Sequence, residues 1–196
     1  AEVARARYGC LRPWAEDPAR YGRMALTSGH AKCEGAVLEV LGDLLARDLQ
    51  DPDDPEGVLG AIQNARLVAN AEAYYRVMYY GSAESWNHRD THMFETLRQL
   101  LDAKGPDAKA VVWAHNSHIG NAAFTGMGVE RGELNIGQLC REQFGDQAAL
   151  IGFGTHAGTV ACASDWDLPM EVKIVRPSLV DSHERLAHDA GHPRFL

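Results

Sequence analysis

Residues 111–119, Val-Val-Trp-Ala-His-Asn-Ser-His-Ile, constrain the fold of this chain more than any other stretch. The segment opens as a short apolar run, the pattern of a buried strand, and breaks abruptly into His115, Asn116, Ser117 and His118. A buried strand that opens onto polar side chains is where an α/β sheet carries its ligand site. Further apolar runs at 148–154 and 159–163, and an alternating run at 170–175, also read as strands, with a short helix at 136–144. Strand–helix–strand alternation from Lys109 onward implies right-handed crossovers and a mostly parallel sheet. The expected fold class is α/β.

Upstream the pattern is helical. Residues 1–8 look helical, and 12–21, with Pro13, Asp17 and Pro18, read as a loop. Apolar residues at helical spacing predict helices over 28–49, 56–80 and 83–103, the last stopped by Gly105-Pro106. Residues 182–190 read as a final helix. The expected organisation is a helical part, 1–105, and a strand–helix part carrying the site, 106–196, together a portion of one domain. Both ends read as cuts from a longer chain.

With 196 residues and 45% hydrophobic content the chain can bury a core, and its net charge of −8 argues against a nucleic-acid binder or a polybasic membrane anchor. No apolar run approaches the roughly 20 residues of a membrane span. The first residues are not expected to act as a secretory signal, because they are charged and lack an apolar centre. Cys10, Cys33, Cys140 and Cys162 are scattered without close pairing, and read as reduced, structural cysteines of a cytoplasmic protein.

Three clusters carry candidate chemistry. His115 and His118, three apart after a strand, suit general acid and base work near neutral pH. They also suit a metal, although zinc needs three or four ligands. Asn116 between them has a plain reading as a turn residue. Trp86, Asn87, Arg89, Asp90 and Met93 form a polar–aromatic cluster at the start of a helix whose later turns are apolar. Aromatic walls with a few fixed polar groups are what ligand pockets use, although Arg89 and Asp90 also suit a solvated helix start. The Gly-rich run 152–159 carries His156, which is expected to face the same sheet edge. This run fits neither the Walker pattern nor G-x-G-x-x-G. His30, His183, His188 and His192 read as surface residues, and His88 and His92 share a helix without an H-E-x-x-H motif. No Ser stands in a G-x-S-x-G elbow, so a water activated by His fits better than a covalent serine.

The combination of 112–119, 84–93 (Glu-Ser-Trp-Asn-His-Arg-Asp-Thr-His-Met) and 151–159 (Ile-Gly-Phe-Gly-Thr-His-Ala-Gly-Thr) resembles the erythromycin esterase family in order and spacing, as do Arg5-Ala-Arg-Tyr8 and Gln63-Asn-Ala-Arg66. The resemblance implies a three-layer α/β/α fold with a mostly parallel sheet and a helical subdomain. It implies hydrolysis of an ester or macrolide lactone by a His-activated water, with no metal or other cofactor, and macrolide resistance as the outcome. By that match His115 and His118 are catalytic. Trp86, Asn87, Arg89, Asp90, Met93, Asn116 and His156 bind substrate. The partner is a small-molecule ester, with neither nucleic acid nor membrane. The family's Gly-Glu-x-x-His-Gly-like segment, expected to supply the general base, has no counterpart in this sequence. Two rival readings follow: a metal- or haem-binding module built on His115, His118 and His156, and a non-catalytic fragment.

Overall fold

The structure is a computed structural model that describes residues 2–27, 33–46, 54–79, 81–165 and 168–191. It divides into two compact units, 1–150 and 151–196, each taken by itself below. In the first unit, α1 (Glu2–Arg7) leads into a 3₁₀ segment (Tyr8–Trp14), followed by α2 (Pro18–Thr27), α3 (Glu34–Ala46), α4 (Pro55–Val77) and α5 (Ser82–Lys104). The helix α2 corrects the loop expected over 12–21. Asp17 accepts a hydrogen bond from Arg20 N, and Pro18 takes the first helical position, so Asp-Pro acts here as a start signal. In the same way Asp54 caps α4 by accepting from Gly57 N, with Pro55 behind it. Residues 28–32 and 47–49 of the helix expected over 28–49 lie outside the described residues, as do His30 and His192. Gly105, at φ 95°, ends α5 where Gly-Pro was expected to stop it.

The core of this part is Tyr21, Cys33, Val37 and Ala69, with Trp14, Leu41 and Tyr75 packed around them. Inside it runs a polar chain. Cys33 N donates to Tyr21 Oη at 2.9 Å, and Tyr21 Oη donates to Glu72 Oε1 at 2.6 Å. Arg76 then bridges Glu72 Oε1, at 3.1 Å, and Glu34 Oε1, at 2.9 Å. Glu72 is only 4% exposed, so its charge is held by these partners rather than by water. Burial, reinforced by the hydrogen bond to Glu72, pushes the Tyr21 phenol up to about 12 from its ordinary 10.0. A raised folded-state value means the fold favours the protonated phenol. The stability it contributes is complete below pH 10 and is lost as pH rises through 12. The unfolding free energy from denaturant titrations is therefore expected to fall across that window by up to about 3 kcal/mol from this group, and Tyr21→Phe is expected to flatten the fall. Parallel curves for the two proteins would remove Tyr21 as the cause.

Cys10 and Cys33 are joined as a disulfide, their Cα atoms 5.9 Å apart, which corrects the reading of four reduced cysteines. Their 23-residue separation hides the pairing, because it arises from the packing of the 3₁₀ segment near the start of α3. The cytoplasmic expectation rested on reduced thiols and loses that support. Cys140 and Cys162 are free and half-buried. No helix among the described residues is long and apolar enough to cross a membrane.

Beyond α5 the first unit contains α6 (Asn116–Ile119), α7 (Gly126–Arg131) and α8 (Ile136–Phe144). The second unit contains β1 (Gly158–Cys162), β2 (Glu171–Val175) and α9 (His183–Asp189), with Ser182 capping α9 through Arg185 N. The expected three-layer α/β/α architecture with a mostly parallel sheet is overturned. The described residues are mostly helical, and their sheet is the antiparallel pair β1–β2, registered Gly158↔Val175 through Cys162↔Glu171. Residues 109–114 and 148–154 join no sheet among the described residues, and Val111 and Trp113 are 90% and 85% exposed. An apolar run reports hydrophobicity, whereas a strand also needs neighbours to exchange backbone hydrogen bonds with.

Candidate active site around His118 and Asp90

The first two turns of α5 are tied to the loop between α7 and α8. Trp86 Nε1 donates to Leu134 O at 2.8 Å, Asn87 Nδ2 donates to Gly132 O at 3.0 Å, and Leu134 N donates to Asn87 Oδ1 at 2.8 Å. One turn on, Asp90 is fully buried, and Ile136 N, in the first turn of α8, donates to its Oδ2 at 3.2 Å. Asn135 caps α8 by accepting from Gln138 N, and its Nδ2 donates to Ser117 O in α6 at 2.8 Å. A Cβ at Gly137 would collide with the carbonyl oxygens of Ile119 and Gly120, so only glycine lets α8 approach the end of α6 this closely. These contacts fix α6 against α5.

The same contacts bring His118 onto Asp90. His118 Nδ1 lies 2.9 Å from both Asp90 Oδ1 and Oδ2, with the imidazole 19% exposed and the carboxylate fully covered. The His118 ring stacks on Trp86, ring centres 4.7 Å apart and planes 5° from parallel. The Arg89 guanidinium lies over the Trp86 ring at 4.8 Å, within cation–π range.

Hydrogen bonding assigns opposite tautomers to the two histidines. A carboxylate only accepts, so His118 Nδ1 carries the proton and its Nε2 presents a lone pair. His115 Nδ1 accepts from Ser117 N at 3.2 Å, capping α6, and also lies 3.0 Å from Ser117 Oγ. A neutral His115 therefore carries its proton on Nε2. One imidazole is set up to take a proton, the other to donate a hydrogen bond.

Of the residues singled out from sequence, Trp86, Arg89, Asp90 and His118 form one contact cluster. Asn87 spends its amide on the loop and acts as a structural tie. His115 is exposed at the start of α6, Asn116 is its exposed first residue, and Met93 is half-buried three positions beyond Asp90. His156 belongs to the second unit. There its ring stacks on His188 at 3.7 Å between centres, and its Nδ1 lies 2.7 Å from Ser178 Oγ; His188 is exposed, as expected, but has this ring as a neighbour. The 132–135 loop was missed. Its signal was Asn135 with Gln138 three positions on, a capping pattern ahead of an apolar helix.

Among the described residues no group of three His, Cys, Asp or Glu side chains is placed to hold a metal ion. A depression of about 530 Å³ lies at the far end of α5, lined by Leu97, Leu101 and Ala108 among others, and none of the candidate residues lines it. The model of the family described as erythromycin esterase matches residues 1–196, the whole of the chain given. No solved structure matches the chain.

Proposed function

The chain belongs to the erythromycin esterase family, and from that premise we propose that it serves an ester hydrolase whose water is activated at His118. The observation that carries this reading is the buried Asp90 carboxylate on His118 Nδ1, 2.9 Å away. It fixes the tautomer, leaves Nε2 basic, and stabilises the imidazolium once formed. In the proposed reaction His118 Nε2 takes a proton from water as the water oxygen bonds to the ester carbonyl carbon. The developing oxyanion accepts a hydrogen bond from His115 Nε2–H. Collapse breaks the bond to the alkoxide oxygen, which receives the proton held by His118. The products are a carboxylic acid and an alcohol, joined in one molecule when the substrate is a lactone.

Trp86 and Met93 supply apolar surface for such a substrate, and Arg89 and Asn116 supply polar contacts. The substrate class proposed is a macrolide lactone, on the strength of the family. Incubation of erythromycin with the protein, followed by mass spectrometry, tests it. The expected result is a product heavier by one water that is absent without enzyme. Unchanged erythromycin at high enzyme load, alongside hydrolysis of a simple activated ester, would reject the macrolide while keeping the esterase.

A further inference from the structure

The seam between α4 and α5 holds a second group of ionisable side chains. Residues four apart on a helix share a face, and Arg66 and Asn70 on α4 meet His88 and His92 on α5. His88 Nε2 lies 3.2 Å from Asn70 O, and Asn70 Nδ2 donates to Arg66 O at 3.0 Å. The Arg66 Nε is buried and has no hydrogen-bond partner among the described residues, and no carboxylate there forms an ion pair with this guanidinium. Arginine stays charged at any ordinary pH, and a buried donor without an acceptor destabilises the fold.

His92 feels the same environment. Burial holds its imidazole below its ordinary value, with the neighbouring His88 and Arg66 adding to the effect and Glu95 opposing it. Glu95 is exposed and lies on α5 itself.

We propose that Arg66, His88 and His92 form a binding site for an oxyanion, the carboxylate or phosphate group of a small ligand. The planar guanidinium presents paired donors that match such a group. His88 Nε2–H is directed to the Asn70 carbonyl, so its Nδ1 becomes a second donor on protonation, and protonated His92 supplies more. Two residues along a helix correspond to about 200° of rotation. His88 and His92 therefore lie on the face of α5 opposite Trp86 and Asp90, and this site stands or falls apart from the esterase reading. Because the anion favours charged imidazoles, binding takes up protons and strengthens as pH falls. The charged groups facing His92 are Glu95 and His88 from α5 and Arg66 from α4.

Titration of the full chain with inorganic phosphate and, separately, with acetate tests the site, read from the imidazole NMR signals of His88 and His92. One of the two anions is expected to shift both signals saturably and several-fold more tightly at pH 6 than at pH 8. Which anion does so distinguishes a phosphate site from a carboxylate site. Arg66→Met is expected to weaken that binding by at least about tenfold, and Arg66→Lys to keep part of it. If circular dichroism shows Arg66→Met unfolded, His92→Gln serves instead, with binding retained at pH 8 and most of the gain at pH 6 lost. Signals that do not saturate with either anion, equal affinity at both pH values, or variants that titrate like the parent would overturn the site.

Discussion

His118→Gln is expected to lower ester hydrolysis by about two to four orders of magnitude, the range supplied by a positioned general base, with the fold kept. Glutamine can still donate an amide hydrogen to Asp90, so the buried carboxylate keeps a partner, but it offers no lone pair of imidazole basicity. Asp90→Asn is expected to act in the same direction through a different route. It can present a donor to His118 Nδ1 and so turn the basic nitrogen inward, a loss of tautomer control rather than of the base. His115→Gln retains a donor and should lose far less. Steady-state kinetics on an activated ester, with circular dichroism as the check on folding, decide the matter. An unchanged kcat in His118→Gln would remove His118 from the reaction.

The largest expected loss of stability comes from Glu72. Glu72→Leu takes the acceptor from Tyr21 Oη and one of two carboxylates from Arg76, whose side chain is 20% exposed. Breaking a buried ion pair on one side costs about 3–5 kcal/mol, and the surviving Glu34 contact places this case at the lower end, about 3 kcal/mol. Glu72→Gln keeps an acceptor for the phenol and should lose less. Glu72→Leu combined with Arg76→Met removes both charges and should recover part of the loss, because no buried cation is left behind. Urea unfolding of the parent, Glu72→Leu, Arg76→Met alone and the double variant gives the coupling directly. A double variant as unstable as the sum of the singles would show that Glu72 and Arg76 do not act as a pair.

Helical periodicity carried most of what was legible about the fold. The helices over 56–80 and 83–103 appear as Pro55–Val77 and Ser82–Lys104, and the final helix as His183–Asp189. Local chemistry explains that success, since stripes, caps and Gly-Pro stops are set by neighbours within a few residues. The misreadings have two causes, partners distant along the chain and a local signal with two meanings. The runs at 109–114 and 148–154 are apolar enough for strands, but pairing depends on distant chain. Asp17-Pro18 reads as a loop in the sequence, although the same two residue types also open a helix. The Cys10–Cys33 bond could not be seen from spacing because it joins elements that meet only in the packed core.

For the candidate site the division is similar. The sequence by itself determined that Trp86, Arg89 and Asp90 share one helix face, and that His115 and His118 stand three apart in one turn. Only the tertiary structure decided that Asp90 meets His118, whereas the turn of His115 Nδ1 to Ser117 is a local helix cap. These contacts set which nitrogen of each ring carries the proton. A tautomer is fixed by the partner across the ring, and here the partner of His118 is supplied by a helix 28 residues away in sequence.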